Sequence, residues 1–438
     1  MIYIGNNEIS NIYIGTDKIY GIYVGDLQIY PTDINILTAI SLENLVWVTN
    51  IPASGGTATK DNCTYSVIAY YSDGTTVDVT SEATITGSQV IPNTDIEEVH
   101  SAGTLTLTAS YSGLTATGNV TVYQEAAVPD FSTKPLTFNI LSAGTIMWKA
   151  LNSSVTKRIE YRINNGKWAS ITSNTTGVKI NVNAGDKIQF KGNNAQYATS
   201  YSNYNTFSGS TAGFSVEGNI MSLIYGDEFK NKLTISSDYA FTSLFYNCAK
   251  LVSAENLVLP ATTLADICYT YMFQGCTSLT AAPALPATKL ASECYQSMFR
   301  DCTSLTTAPA LPATTLAYGC YTSMFNGCTS LTTAPSILPA TTLADYCYRN
   351  MFEGCTSLTT APVLPARTLV TYCYYGMFNG CKSLNYIKCL AKSISATYCT
   401  SAWVRGVAAT GTFVKAASMT KWRTGEKGIP KGWTVQDA

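Results

Sequence analysis

Fourteen cysteines and a single histidine bound the chemistry open to this 438-residue chain. Cysteine serves as a thiolate nucleophile, a zinc ligand or a disulfide partner, and each role has a characteristic spacing. A first cysteine falls at 268, 294, 320, 347, 373 and 399, and a second at 276, 302, 328, 355 and 381, with an early relative at Cys248. There is no Cys-x-x-Cys pair, so zinc is not expected. On a helix, two cysteines eight apart stand about 12 Å apart along the axis, beyond disulfide reach. Thirteen of the fourteen cysteines therefore read as a ladder of small, buried, reduced thiols, with oxidised pairs between repeats as the alternative. Cys63 stands apart from them.

The other reactive groups are sparse. His100, in Glu97-Glu98-Val99-His100, cannot build a multi-histidine metal site and reads as a surface residue. Asp266, Glu293, Asp301, Asp345 and Glu353 are scattered rather than paired, which gives no support to a two-carboxylate glycosidase. No glycine-rich phosphate loop follows a strand, and no Asp/Asn-rich calcium loop is present. The expectation is a protein that is not an enzyme and carries no cofactor or metal.

Composition narrows the partners. With 27 basic and 28 acidic residues the net charge is −1, which argues against nucleic acid, because phosphate neutralisation drives that binding. A hydrophobic share of 46 % excludes a disordered polymer. No uninterrupted apolar run is long enough for a spanning helix, so membrane insertion is not expected. The opening MIYIGNNEIS lacks the basic and apolar regions of a signal peptide.

Repeats organise the rest. Over residues 1–36, Ile2-Tyr3-Ile4-Gly5 recurs as Ile12-Tyr13-Ile14-Gly15 and Ile22-Tyr23-Val24-Gly25, with Asn6-Asn7, Thr16-Asp17 and Asp26-Leu27 between copies. Polar pairs between such runs read as tight turns, giving a small β-meander. Both its faces carry large apolar groups, and so small a sheet cannot bury both alone. Tyr3, Ile12, Tyr13, Ile22 and Tyr23 are therefore candidate anchor residues for sister chains or a larger platform; packing on the next domain is the plain alternative.

Residues 37–126 read as a β-sandwich of seven or so strands, with turns at Ser72-Asp73-Gly74 and Ser112-Gly113. A linker precedes a second sandwich, at 127–236. Here Ile159–Ile163, Asn164-Asn165-Gly166 and Lys167-Trp168 give a hairpin signal, and Trp148 and Trp168 read as core. An exposed Trp168 stacking on a sugar is the sharper alternative.

From 237 to 407 the unit Cys-Tyr-x-x-Met-Phe-x-Gly-Cys-Thr-Ser-Leu recurs with a period of 26. Such a period means a stacked solenoid. Cys-Tyr-x-x-Met-Phe-x-Gly-Cys suits a short helix, ended by a glycine such as Gly327 or Gly354. Pro309 and Pro312, or Pro362 and Pro365, forbid a helix in the Thr/Ala/Leu run after it and leave an extended edge. Residues 408–438 read as a terminal cap. The varying positions of the unit should face solvent, so Tyr271, Gln296, Arg300, Asn326, Arg349, Glu353, Tyr375 and Asn379 are candidate ligand-binding residues, polar or aromatic as glycan or protein recognition requires. An ordinary solvated face is the alternative.

Three segments resemble known families. YSDGTTVDVT with GTLTLTASYSGLTATGNVTVY resembles bacterial group-2 immunoglobulin-like domains, which serve as spacers or adhesion stalks. The repeated Met-Phe-x-Gly-Cys-x-Ser-Leu resembles the cysteine-bearing leucine-rich repeats of BspA-like surface antigens. GTFVKAASMTKWRTGEKGIPKGWTV resembles the closing segment of such proteins in gut Bacteroidales and their phages, the crAss-like type included. The resemblances imply a mainly β multidomain chain: a meander anchor, two Ig-like sandwiches, an α/β leucine-rich-repeat solenoid and a cap. They imply a virion head or tail fibre, a homotrimer joined to capsid or tail proteins by its N-terminus and contacting a host surface glycan or protein. A BspA-like bacterial adhesin and a capsid decoration without a receptor are the alternatives.

Overall fold

A computed structural model describes residues 3–4, 7–8, 22–24, 27–29, 37–47, 63–90, 103–122 and 130–438. The chain is mainly β, built from several sheets, and divides into two compact units, Met1–Pro129 and Asp130–Ala438.

In the first unit, β1 (Tyr3–Ile4) pairs antiparallel with β2 (Asn7–Glu8), and β3 (Ile22–Val24) with β4 (Leu27–Ile29). Their registers pair Ile4 with Asn7 and Val24 with Leu27, so Asn7 and Leu27 lie on strands. Ile12, Tyr13 and His100 lie outside the described residues; Tyr3 is on β1 and Ile22 and Tyr23 are on β3.

Six further strands form two antiparallel sheets: β5 (Leu37–Trp47), β6 (Cys63–Tyr71) and β7 (Thr76–Asp78); and β8 (Thr84–Val90), β9 (Gly103–Tyr111) and β10 (Leu114–Val122). Alternation on β6 and β9 buries Val67, Ala69, Leu105, Leu107 and Ala109 in one core with Val79.

The strands of the second unit are β11 (Leu136–Ile140), β12 (Gly144–Ala150), β13 (Arg158–Ile163), β14 (Ala169–Thr172), β15 (Val178–Val182), β16 (Lys187–Lys191), β17 (Ala198–Ser200), β18 (Asn203–Thr206), β19 (Phe214–Asn219), β20 (Leu251–Val258), β21 (Tyr386–Cys389), β22 (Thr412–Lys415) and β23 (Thr434–Asp437). One sheet runs β14-β13-β16-β11-β19-β20 and another β15-β12-β18-β17. Trp148 is fully buried between them, as expected. Trp168 is not core. Strand β14 starts only at Ala169, which leaves Trp168 half-buried in the hairpin loop with Arg162 at 4.9 Å and Lys191 at 4.5 Å from its ring. These cations over the indole hold it in the loop, and Lys191 is itself paired with Asp227 at 2.7 Å.

Strand β20 joins that sheet in parallel with β19 and belongs to the first of the stacked coils. These coils stack through parallel bridges about one repeat apart, such as Lys289↔Thr315, Thr307↔Thr333, Ile337↔Val363 and Thr360↔Tyr386. The proline-bracketed segments are thus extended edges, mostly joined at single residues. Parallel β21, β22 and β23 close the far end.

The helix expected for Cys-Tyr-x-x-Met-Phe-x-Gly-Cys does not form, which corrects the α/β reading of the repeat. The backbone turns a corner every fourth residue through the left-handed region: Ile267 (φ 61), Tyr271 (φ 58) and Gly275 (φ 74) in one coil, and Tyr346 (φ 62), Asn350 (φ 53) and Gly354 (φ 75) in another. Alternate amides split their loyalty. Met272, Gln274 and Cys276 donate to carbonyls three residues back, whereas Tyr269, Tyr271, Phe273 and Gly275 donate to Cys294, Gln296, Met298 and Arg300 of the next coil. An α-helix satisfies its amides internally and leaves none to bind a neighbour. Here half of them hold the stack together.

The side chains explain the choice. Cys268, Tyr269, Met272, Phe273 and Cys276 are all fully buried, a pair-wise pattern with a period of four, or about 90° per residue against the helical 100°. The buried rings form two columns. Tyr269, Tyr295, Tyr321, Tyr348 and Tyr374 stack at 5.7 to 6.1 Å, and Phe245, Phe273, Phe299, Phe325, Phe352 and Phe378 at 5.3 to 5.9 Å. Both columns end on Trp403, which takes the methionine's place in the last coil and stacks on Trp422 at 5.7 Å. One core runs without interruption from Leu136 to Trp433.

Candidate functional site

Each varying position of the repeat lies directly over its counterpart one coil away, so neighbours shield one another. Of the eight candidates only Arg300 is exposed; Tyr271, Gln296, Asn326, Arg349, Glu353, Tyr375 and Asn379 are half-buried. Gln296 donates to the Tyr271 hydroxyl at 3.3 Å. Glu353 is already engaged on both oxygens, by Asn326 at 2.8 Å and Asn379 at 2.7 Å. Arg300 faces Asp301 at 3.5 Å. Arg349 is different. Its guanidinium lies 5.7 Å from the Tyr346 ring, 5.9 Å from Tyr372 and 5.4 Å from Tyr375, and its Nε is buried without a hydrogen-bond partner.

Those rings belong to an outer ladder that the sequence reading missed. Tyr318 meets Tyr346 at 5.2 Å, Tyr346 stacks on Tyr372 at 4.7 Å and 13°, and Tyr372 meets Tyr398 at 5.0 Å and Tyr375 at 5.3 Å. The end members are open to solvent, Tyr318 by 49 % and Tyr398 by 55 %. Tyr346, Tyr372 and Tyr398 immediately precede the first cysteine, at a left-handed corner (φ 62, 54 and 52). A bulky side chain there costs about 1–2 kcal/mol, and glycine holds the same position at Gly319. Their position before the cysteine was the available signal. It was masked because tyrosine also follows the cysteine, and that one is core. Crowding raises the Tyr372 phenol above its ordinary value: burial first, then the Tyr346, Tyr398 and Tyr375 phenols, with Arg349 opposing.

At the sandwich end of the stack, Tyr201 packs on Tyr239 at 5.9 Å and Tyr271 at 5.6 Å and donates to Glu293. A cavity of about 330 Å³ lies beside it, bordered by Tyr204, Tyr246, Gln274 and Arg300. At the far end a larger cavity of about 910 Å³ is bordered by Tyr398, Lys392, Lys421, Arg423 and Lys427.

The thiols offer no reactive site. The thirteen from Cys248 to Cys399 are all free and buried. Burial raises Cys320, Cys373, Cys381 and Cys389 to about 12, so thiolate is suppressed at neutral pH. Their role is structural. Cys276, Cys302, Cys328, Cys355 and Cys381 each donate Sγ–H, at 3.0 to 3.1 Å, to the carbonyl of Phe245, Phe273, Phe299, Phe325 or Phe352 in the preceding coil. Among the described residues no three His, Cys, Asp or Glu side chains gather as metal ligands, and no helix is long and apolar enough to cross a membrane.

The outer surface of the stack thus carries a row of phenols with one guanidinium among them, and its last ring, Tyr398, borders the larger cavity. Set against family models, curated proteins and solved structures, the chain matches none of them.

Proposed function

We propose that the protein is a virion structural protein, a head or tail fibre, that holds a host surface glycan along the outer tyrosine ladder. The observation that carries the binding role is the ladder itself. Three of its tyrosines occupy left-handed corners where glycine would be less strained, and the ladder ends in open rings. The same corner is left-handed at Ile267 and Glu293, so the strain belongs to the coil, and what sets the last coils apart is the row of tyrosines placed on it. The middle rings face each other and are only half-buried, and a phenol can hydrogen-bond to sugar hydroxyls. The end rings have a free face for the apolar side of a sugar. Coils that rise by about 4.8 Å set a step close to one pyranose unit.

In this reading residues 1–36 attach a homotrimer to capsid or tail proteins, and the antiparallel pairs β1–β2 and β3–β4 support the hairpins of that anchor. Residues 37–126 are an Ig-like spacer, supported by two three-stranded sheets over one core. Residues 237–407 are a variant of the BspA-like leucine-rich-repeat stack, with corners in place of a helix.

The test uses full-length protein on glycan arrays and host cells. Tyr346→Asn with Tyr372→Asn should abolish binding without unfolding the chain, since asparagine tolerates left-handed φ. Binding that survives these substitutions, or that is lost when host proteins rather than glycans are removed, sinks the reading. Deleting residues 1–30 should yield protein that no longer joins particles; normal incorporation overturns the anchor.

A further inference from the structure

We propose that the cavity beyond the last coil binds an anionic sugar unit, carboxylate- or sulfate-bearing, of the same glycan; this rests on the ladder being a glycan site. Lys392, Lys421, Arg423 and Lys427 border it, with serine and threonine hydroxyls between them and no carboxylate. Among the described residues none of these four cations makes an ion pair; the nearby Arg405 takes Glu426 at 3.7 Å instead. Four cations around one concavity with no carboxylate among them make its potential positive, which favours an anion. A polar cavity of about 910 Å³ is large enough for one or two sugar rings.

Tyr398 fixes the ligand class. It is the last ring of the ladder and is 55 % exposed. Tyr372 covers it on one side at 5.0 Å, and among the described residues no other ring touches it. It also borders the cavity. One site therefore combines an open aromatic face, hydroxyl donors and acceptors, and cations. A sugar acid uses all three: its apolar face on the ring, its hydroxyls on Ser and Thr, its charge on Lys and Arg. A simple anion uses only the last. A nucleotide would also stack and pair, and thymidine 5′-monophosphate in the titration separates it from a sugar acid.

The experiment titrates full-length protein with glucuronate, glucose 6-sulfate, glucose and thymidine 5′-monophosphate, followed by saturation-transfer NMR, with inorganic sulfate added as a proton-free competitor. The sugar acids should bind at least about tenfold more tightly than glucose. Lys421→Gln with Arg423→Gln should remove that preference, and Tyr398→Asn should weaken the sugar acids while leaving sulfate unchanged. Glucuronate and glucose 6-sulfate separate a carboxylate from a sulfate ligand. Three results overturn the proposal: sugar acids binding no better than glucose, sulfate alone competing equally, or the nucleotide binding best. The two readings fail separately. Loss of host-cell binding in the Tyr346 and Tyr372 variants without sugar-acid binding removes only the cavity. Sugar-acid binding with host attachment indifferent to those variants removes only the ladder.

Discussion

Phe207 of the sandwich stacks on Phe245, the first ring of the phenylalanine column, at 5.7 Å and 22°. Phe138 completes the junction, 4.8 Å from Phe207 and 5.9 Å from Phe245. A stack of coils needs its open ends covered, because an end coil exposes one apolar face. The sandwich covers one end, and Trp403 with Trp422 and Phe413 covers the other.

The junction should therefore act as one energetic unit. Phe207→Ala and Phe245→Ala should each cost about 3–5 kcal/mol, as buried phenylalanines do. Combined, they should cost less than the sum by about 0.5–1.5 kcal/mol, the worth of a ring pair. Urea unfolding of the four proteins measures this cycle. Strict additivity would mean that sandwich and stack are neighbours without being coupled.

Alkali should unfold the second unit steeply. An unfolded thiol titrates near pH ~8.5, whereas burial holds Cys320, Cys373, Cys381 and Cys389 at about 12. The folded value is the higher one, so the contribution is fully present below the unfolded value and is lost as pH rises through the folded one. Each thiol removes about 1.4 kcal/mol per pH unit in that window, and four together about 5–6. Ordinary domain stability is exhausted within about two units. Urea midpoints should be flat from neutrality to mildly alkaline pH and collapse by about pH 10–11. In parallel, a thiol reagent should leave the thirteen buried cysteines untouched in native protein and reach them after denaturation. An unchanged midpoint at high pH contradicts the burial argument.

How much of this was legible depends on the distance over which a pattern acts. The period of 26 and the thiol ladder are readable because each unit repeats its own core. The corner geometry was present in the order Cys268-Tyr269, Met272-Phe273, Cys276, yet over nine residues a period of four drifts from a helix by only about 80°. The tyrosines of the ladder hid for a related reason. Tyr346 and Tyr348 are two residues apart and identical in type, but Tyr348 is 1 % exposed in the column while Tyr346 stands on the outer corner. Trp168 was misplaced because Asn164-Asn165-Gly166 marks a hairpin without showing that its loop extends through 168. The junction of Phe138, Phe207 and Phe245 joins segments far apart in sequence, and no local pattern reports such contacts.

Glu353 is predicted to be structural rather than a ligand contact. It accepts from Asn326 and Asn379, binding three successive coils. Glu353→Ala should cost about 1–2 kcal/mol, discounted because the group is half-buried. Glu353→Gln should cost less, since the asparagine amides can reorient. Neither should change glycan binding beyond what stability explains. A large binding loss in Glu353→Gln would return this residue to the site.

Arg349 is the position where stability and binding should separate. Three tyrosine rings surround its guanidinium, each contact worth about 0.5–1 kcal/mol at a partly exposed site. Against this stands its buried, unpartnered Nε, a cost of about 1–3 kcal/mol. The two nearly cancel, so Arg349→Leu should leave the melting temperature within a few degrees of the parent. Attachment should fall all the same, because the substitution removes the cation beside the ladder. Arg349→Lys keeps the charge but cannot lie flat against three rings, and should recover only part of the attachment. Full attachment by the leucine variant would mean that Arg349 serves packing alone and that the phenols bind without it.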